Sequence, residues 1–218
     1  MSTKNSIRRL TIRGFKSIQN LDKFNLNQLN VLIGANGAGK SNFVSYFRML
    51  NEMVESRLQS WTRNQGSADR IVSFGIKETN KVESFVEFGL NGYRFALEPT
   101  VDGGFSFYEE KLFFQGVYFN EKWISLSSGH TEAKLKETFK AAKSGGVADY
   151  CYSSIANWKV FHFHDTSDTA GVKRLGSLHD NEYLRPDASN LAAFLYRLSG
   201  EYEDVYKQIQ KTICLAIP

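Results

Sequence analysis

Residues 6–13, SIRRLTIR, alternate apolar with basic or polar side chains, the two-residue period of a half-exposed strand. Residues 29–34, LNVLIG, are rich in branched aliphatics and predict a strand buried inside a sheet. From Gly39 onward Phe43, Phe47, Leu50, Val54 and Leu58 recur at helical spacing, giving an amphipathic helix with one apolar face. Between about 70 and 128 the texture changes to short alternating runs, RIVSFGI, VESFVEFGL, YRFALEP and FSFYEEKLFF, separated by turn chemistry. These predict an antiparallel β-meander, with a hairpin about Asn91-Gly92 and its Phe and Tyr residues serving as sheet core. A polar helix is expected over 131–143, ending at Gly145-Gly146, then a short helix over 148–156 and a strand over 158–164. After an irregular stretch, 165–186, helical spacing returns at Leu191, Phe194, Leu195 and Leu198, breaks at Ser199-Gly200, and resumes with Val205, Ile209 and Ile213. The pattern is that of an α/β protein with a β-meander subdomain and C-terminal helices, read as one domain over residues 1–218.

Composition narrows this only a little. With 42% hydrophobic and 23% charged residues, the chain can bury an ordinary core and is not a disordered segment. No apolar run reaches a membrane span, and no apolar stretch follows the first basic residues as a secretory signal requires. Cys151 and Cys214 are far apart and form no metal or redox pair, so they read as reduced thiols of a cytoplasmic protein. Of the net charge of +4, much lies early, at Lys4, Arg8, Arg9, Arg13 and Lys16. Such a cluster suits the phosphates of a nucleotide or of DNA, and equally a solvated strand edge. DNA therefore stays open as a partner, and a membrane does not.

The chemistry concentrates at Gly34-Ala35-Asn36-Gly37-Ala38-Gly39-Lys40-Ser41, which fits G-x-x-x-x-G-K-[ST] between a predicted strand and a predicted helix. Glycines let successive backbone N–H groups turn inward and let phosphate oxygens approach. The helix beginning at Lys40 adds its N-terminal dipole. Lys40 is expected to reach the β- and γ-phosphates, and the Ser41 hydroxyl to ligate Mg²⁺. ATP and Mg²⁺ are thus the expected ligands, held by Gly34, Asn36, Gly37, Ala38, Gly39, Lys40, Ser41 and Asn42.

IRGFKSIQNL at 12–21, followed by LNVLIGANGAGKSNFVSYFRML at 29–50, resembles the N-terminal portion of ABC-type ATPases of the SMC/RecF/OLD group. More closely, it is similar to the bacterial SMC-like predicted ATPases of the AAA_21 type. WKVFHFHDTS at 158–167 and NEYLRPDASNLAAFLYRL at 181–198 resemble segments of the same group, so the likeness covers most of the chain. The resemblance implies an ABC-type P-loop ATPase lobe, with the meander as its β-rich part. It implies that Lys16 and Ser17 lie beside the phosphates or ribose. It also implies that the strand ending at His164-Asp165 takes the position from which a glutamine normally helps hold Mg²⁺ and the attacking water. This sequence has no glutamine there, leaving His164 or Asp165 as the substitute.

Members of that group continue into a second lobe bearing a signature motif and an apolar run ending in Asp-Glu. The Asp orients Mg²⁺ and the Glu polarises water. No Asp-Glu pair occurs in this sequence. LSSGH at 126–130 imitates the signature and VFHFHD at 160–165 imitates the metal-binding strand, but Thr166 stands where the catalytic Glu belongs. His162 and His164, at i and i+2 on the expected strand, share a face that His179 and Asp180 would complete as a metal site; the alternative is a buried strand end whose histidines hydrogen-bond locally. The expectation is an ATP–Mg²⁺-binding half, weak or inactive alone. Its hydrolysis would wait on a homodimer of ATPase heads or on a chain supplying the missing lobe. The alternative is a non-catalytic, nucleotide-gated interaction module; a transferase or kinase of the same loop type is more remote, because the meander interrupts the expected alternation.

Overall fold

The computed structural model describes residues 6–116, 120–142, 145–161, 167 and 169–216. The chain divides into two compact units, Met1–Trp158 and Lys159–Pro218.

The first unit is built on a six-stranded antiparallel sheet in the order β2-β1-β3-β4-β5-β6. Its strands are β1 (Arg9–Phe15), β2 (Ile18–Asn25), β3 (Val82–Phe88), β4 (Asn91–Pro99), β5 (Phe105–Phe114) and β6 (Lys122–Ser127). Alternation decides the faces: Leu10 and Ile12 of β1, Val82 and Val86 of β3, and Tyr93, Phe95 and Leu97 of β4 are buried. Against that face lie α1 (Lys40–Val54), through Tyr46, Met49, Leu50 and Met53, and α4 (Val147–Ala156), through Cys151 and Ile155. Each such aliphatic or aromatic side chain contributes about 1.5–3 kcal/mol by leaving water. A buried polar relay pins α1 to the sheet: the Tyr46 hydroxyl lies 2.5 Å from Ser84 Oγ, which donates to the Thr11 carbonyl at 2.9 Å.

Two shorter helices complete the unit, α2 (Leu58–Asn64) and α3 (Leu135–Ala141). The long apolar run expected from Gly39 to Leu58 is broken after Val54, where Ser56 takes a left-handed φ of +59°. Glu110 on β5 is fully buried and organises the sheet-to-α3 junction. It accepts the Tyr93 hydroxyl (2.7 Å) and the backbone N–H groups of Lys134 (2.9 Å) and Leu135 (3.2 Å), and lies 2.7 Å from His130 Nε2.

Several expectations need correction. Residues 29–34 form no strand: they are irregular and exposed, with Leu29 at 80%, Val31 at 71% and Ile33 at 92%. Strand propensity alone does not make a strand, and among the described residues no neighbour offers these backbone groups a ladder. RIVSFGI likewise forms only a turn and one bridge, Phe15 to Val72. The β3–β4 turn falls on Gly89-Leu90, two residues before the expected Asn91-Gly92, which open β4 instead. The helix expected over 131–143 begins only at Leu135. Residues 158–161 form no strand, and the rest of that expected strand, 162–164, lies outside the described residues.

In the second unit α5 (Leu191–Glu201) and α6 (Glu203–Ala216) are separated at Tyr202, past the expected break at Ser199-Gly200. Asn190 precedes α5 and is buried; it accepts the Arg185 N–H and donates to the carbonyls of Asp180 and Tyr183, each at 2.8 Å, fixing the loop before the helix.

Candidate phosphate-binding site

Residues 34–42 join the exposed apolar run to α1. Gly37 and Gly39 have φ of +85° and +89°, the left-handed region that side chains resist. Gly39 has a second reason to be glycine, since a Cβ there would lie 2.7 Å from Ser17 Oγ. The Ala38 N–H donates to the Ala35 carbonyl (3.2 Å) and the Phe43 N–H to that of Gly39 (3.0 Å), so the turn runs directly into the helix. Helix α1 starts with no side-chain cap and no acidic residue in its first turn. Its leading N–H groups and the positive end of its dipole are left for an outside acceptor.

The Lys40 ammonium folds back on the loop, donating to the carbonyls of Gly34 (2.6 Å) and Ala35 (2.8 Å). Both acceptors are neutral, and an anionic oxygen arriving there would make the stronger, charge-assisted bond. Asn36 and Ser41 are exposed beside it. Asn42 Nδ2 donates to Ser17 Oγ at 2.8 Å, so the β1–β2 turn touches the loop at Ser17. Lys16 is placed differently from its neighbour. Its Nζ donates to Ser45 Oγ (2.9 Å) on α1 and Gln65 Oε1 (3.0 Å) just past α2, with the rings of Phe15 and Trp61 each 5.8 Å away. Burial, reinforced by Arg48, pulls its pKa below the ordinary lysine value. Neither Ser45 nor Gln65 was legible as a partner, because periodicity says nothing about which polar group a neighbouring turn delivers.

A cleft of about 640 Å³ opens beside Gly39 and Lys40, walled by Ile18, Leu21 and Phe24 of β2 and by Val31 and Ile33 of the unpaired run. It is apolar on the walls and cationic at the loop end, which suits a flat heterocycle carrying phosphates.

For a divalent cation, the hydroxyl of Ser41 beside an open helix N-terminus is the one fitting donor that the loop supplies. The expected substitutes His164 and Asp165, and also His162, lie outside the described residues. Asp180 pairs with Arg185 at 2.8 Å, and among the described residues no three His, Cys, Asp or Glu side chains gather as a metal site. LSSGH has a structural use: Gly129 N–H donates to the Phe107 carbonyl, and the His130 ring stacks on Phe107 with centroids 4.6 Å apart.

Residues 29–175 match the AAA_21 family, described as "AAA domain, putative AbiEii toxin, Type IV TA system". Over 78 residues the chain is 37% identical to structural maintenance of chromosomes protein 3 of Saccharomyces cerevisiae, a match covering 33% of this chain and 6% of that relative. No solved structure gives a significant match.

Proposed function

The chain belongs to the AAA_21 family, and from that premise we propose that it is the ATP–Mg²⁺-binding half of an SMC/RecF-like ABC-type ATPase. The single observation that carries this reading is the Lys40 ammonium, held by two neutral carbonyls inside a loop that opens an uncapped helix. On this reading the N–H groups of the loop and of the first turn of α1 cradle the phosphates. Lys40 exchanges its carbonyl partners for β- and γ-phosphate oxygens, and Ser17, anchored on Asn42, closes the cradle. The base and ribose enter the cleft along β2. Bound Mg²⁺ would offset the charge of the outer phosphate oxygens, with Ser41 its ligand from this chain.

Hydrolysis needs a group that positions water, and the sequence has no Asp-Glu pair to do so. We assign that role to a further lobe, continuous with this chain or on another. The exposed Leu29, Val31 and Ile33, lying directly before the loop, give that lobe an unpaired apolar run to pack against. Dimerisation of two such heads around nucleotide and contact with DNA both remain compatible with this reading.

Titration calorimetry with ATP–Mg²⁺ tests it. The chain should bind, and Lys40→Ala should bind at least a hundredfold more weakly, as expected for a charged partner of a triphosphate. Undiminished affinity in that variant overturns the assignment. Single-turnover hydrolysis by the chain alone should stay near the uncatalysed background; a rate well above it overturns the division of labour.

A further inference from the structure

Lys16 carries a positive charge that the fold does not neutralise. Its ammonium is half-buried between Phe15 and Trp61, and its acceptors, Ser45 Oγ and Gln65 Oε1, are both uncharged. Among the described residues no carboxylate pairs with it, and Arg48 adds like charge nearby. Withdrawing a cation from water without a counter-charge is costly. The backbone beneath it is fixed: Lys16 sits at a left-handed φ of +47°, with its N–H donating to the Ile71 carbonyl (2.7 Å) and its carbonyl accepting from Ser73 Oγ (2.5 Å). That backbone lies next to the loop, since the following residue, Ser17, touches both Asn42 and the Gly39 position. Ser45 in turn is four residues after Ser41, one turn along the same face of α1 and so about 5–6 Å away.

We propose that Ser45 and Gln65 hold the Lys16 ammonium as a reserve cation, which the terminal phosphate of a triphosphate draws toward Ser41, so that Gln65 sets the preference for ATP over ADP. The proposal rests on reading residues 34–42 as a triphosphate site. Its physical basis is the imbalance of acceptors. A flexible four-carbon stem swings readily, and two neutral oxygens are easily outbid by an anionic one. Gln65 is a positioning residue: it acts through Lys16. Because it stands just past α2, release of Lys16 also frees the end of that helix, which gives the nucleotide a mechanical outlet.

The test compares ATP and ADP affinities, by calorimetry, for four forms of the chain. Gln65→Glu gives Lys16 a carboxylate partner and should lock it, weakening ATP about tenfold while ADP changes less than twofold. Lys16→Met should remove the ATP preference by a similar factor. Adding Gln65→Glu to Lys16→Met should then change nothing further, because the glutamate has no ammonium left to hold. A role limited to bracing α1 against α2 would move thermal stability and leave the ATP:ADP ratio alone. An unchanged ratio in Gln65→Glu therefore overturns the reserve-cation role while leaving the loop assignment standing. Failure of the unmutated chain to bind either nucleotide overturns the loop assignment and the proposal with it.

Discussion

Ser17 Oγ occupies the space that a side chain on Gly39 would need, 2.7 Å from the ideal Cβ position, and Asn42 holds that hydroxyl in place with a 2.8 Å hydrogen bond. The β1–β2 turn and the phosphate loop are thus fitted to one another, and the shape of one constrains the other. Gly39→Ala meets two penalties, the left-handed φ of +89° and the collision with Ser17. It should lower stability by about 1–2 kcal/mol and weaken ATP by more than tenfold. Ser17→Gly in that background should return part of the affinity and none of the backbone cost. Calorimetry and urea denaturation separate the two.

Glu110 offers a second test, on the frame rather than the site. Three donors and the His130 ring nitrogen converge on one fully buried carboxyl group at the junction of β5 and α3. Glu110→Ala strands the Tyr93 hydroxyl and two N–H groups at the start of α3, and should cost about 3–5 kcal/mol by urea denaturation. Glu110→Gln, which keeps the shape and an acceptor, should cost less than half of that.

Stability should depend on acid through Glu55. Burial alone would raise its pKa, but hydrogen bonds from Lys136 Nζ and the Tyr152 hydroxyl, each 2.6 Å, with the charges of Lys136 and Arg57, outweigh burial and hold it below the ordinary value. The Tyr152 phenol, pushed up to about 12 chiefly by burial, remains a donor throughout. A depressed carboxylate stabilises the fold fully above its unfolded pKa, about 4.3, and loses that contribution as pH falls through the folded value. Glu55→Gln should therefore cost about 1 kcal/mol at pH 7, with the gap from the unmutated chain closing below about pH 4. Denaturation curves across that range check both the sign and the window.

The exposed run before the loop can be altered without harming the isolated chain. Val31→Ser with Ile33→Ser should change stability by no more than about 0.5 kcal/mol, because both side chains already face water. The same pair should abolish hydrolysis wherever a lobe bearing Asp-Glu supplies it, and should weaken ATP as well, because both side chains wall the cleft beside Lys40. A loss of stability of several kcal/mol in the isolated chain would mean that these residues are packed.

What could be read from the sequence follows from range. The loop's motif was legible because its pattern is local: the glycines, Lys40 and Ser41 fall within eight consecutive residues. The meander was legible because each strand carries its own alternation, although the β3–β4 turn moved to Gly89-Leu90 once Phe88 and Asn91 paired. The run 29–34 was misread because a buried strand is defined by neighbours, and its own aliphatics cannot announce whether those neighbours are present. Lys16 was placed near the loop by resemblance, and Ser17 does touch it, but a side chain's partners depend on distant turns. Gln65 stands 49 positions away from the ammonium it holds.

The sheet order has one more consequence, and it concerns time. β1 lies between β2 and β3, so the whole excursion carrying the phosphate loop is inserted between adjacent strands, and Arg9 meets Glu87 across 78 positions. The β3–β4–β5 hairpins close over short loops and can assemble first, whereas β1 must wait for the costlier closure. Pulse-labelled hydrogen exchange during refolding should accordingly protect amides of 91–99 before those of 9–15. The loop we assign to phosphate is then the last part to gain its support, and a folding chain completes the meander before the turn that props that loop.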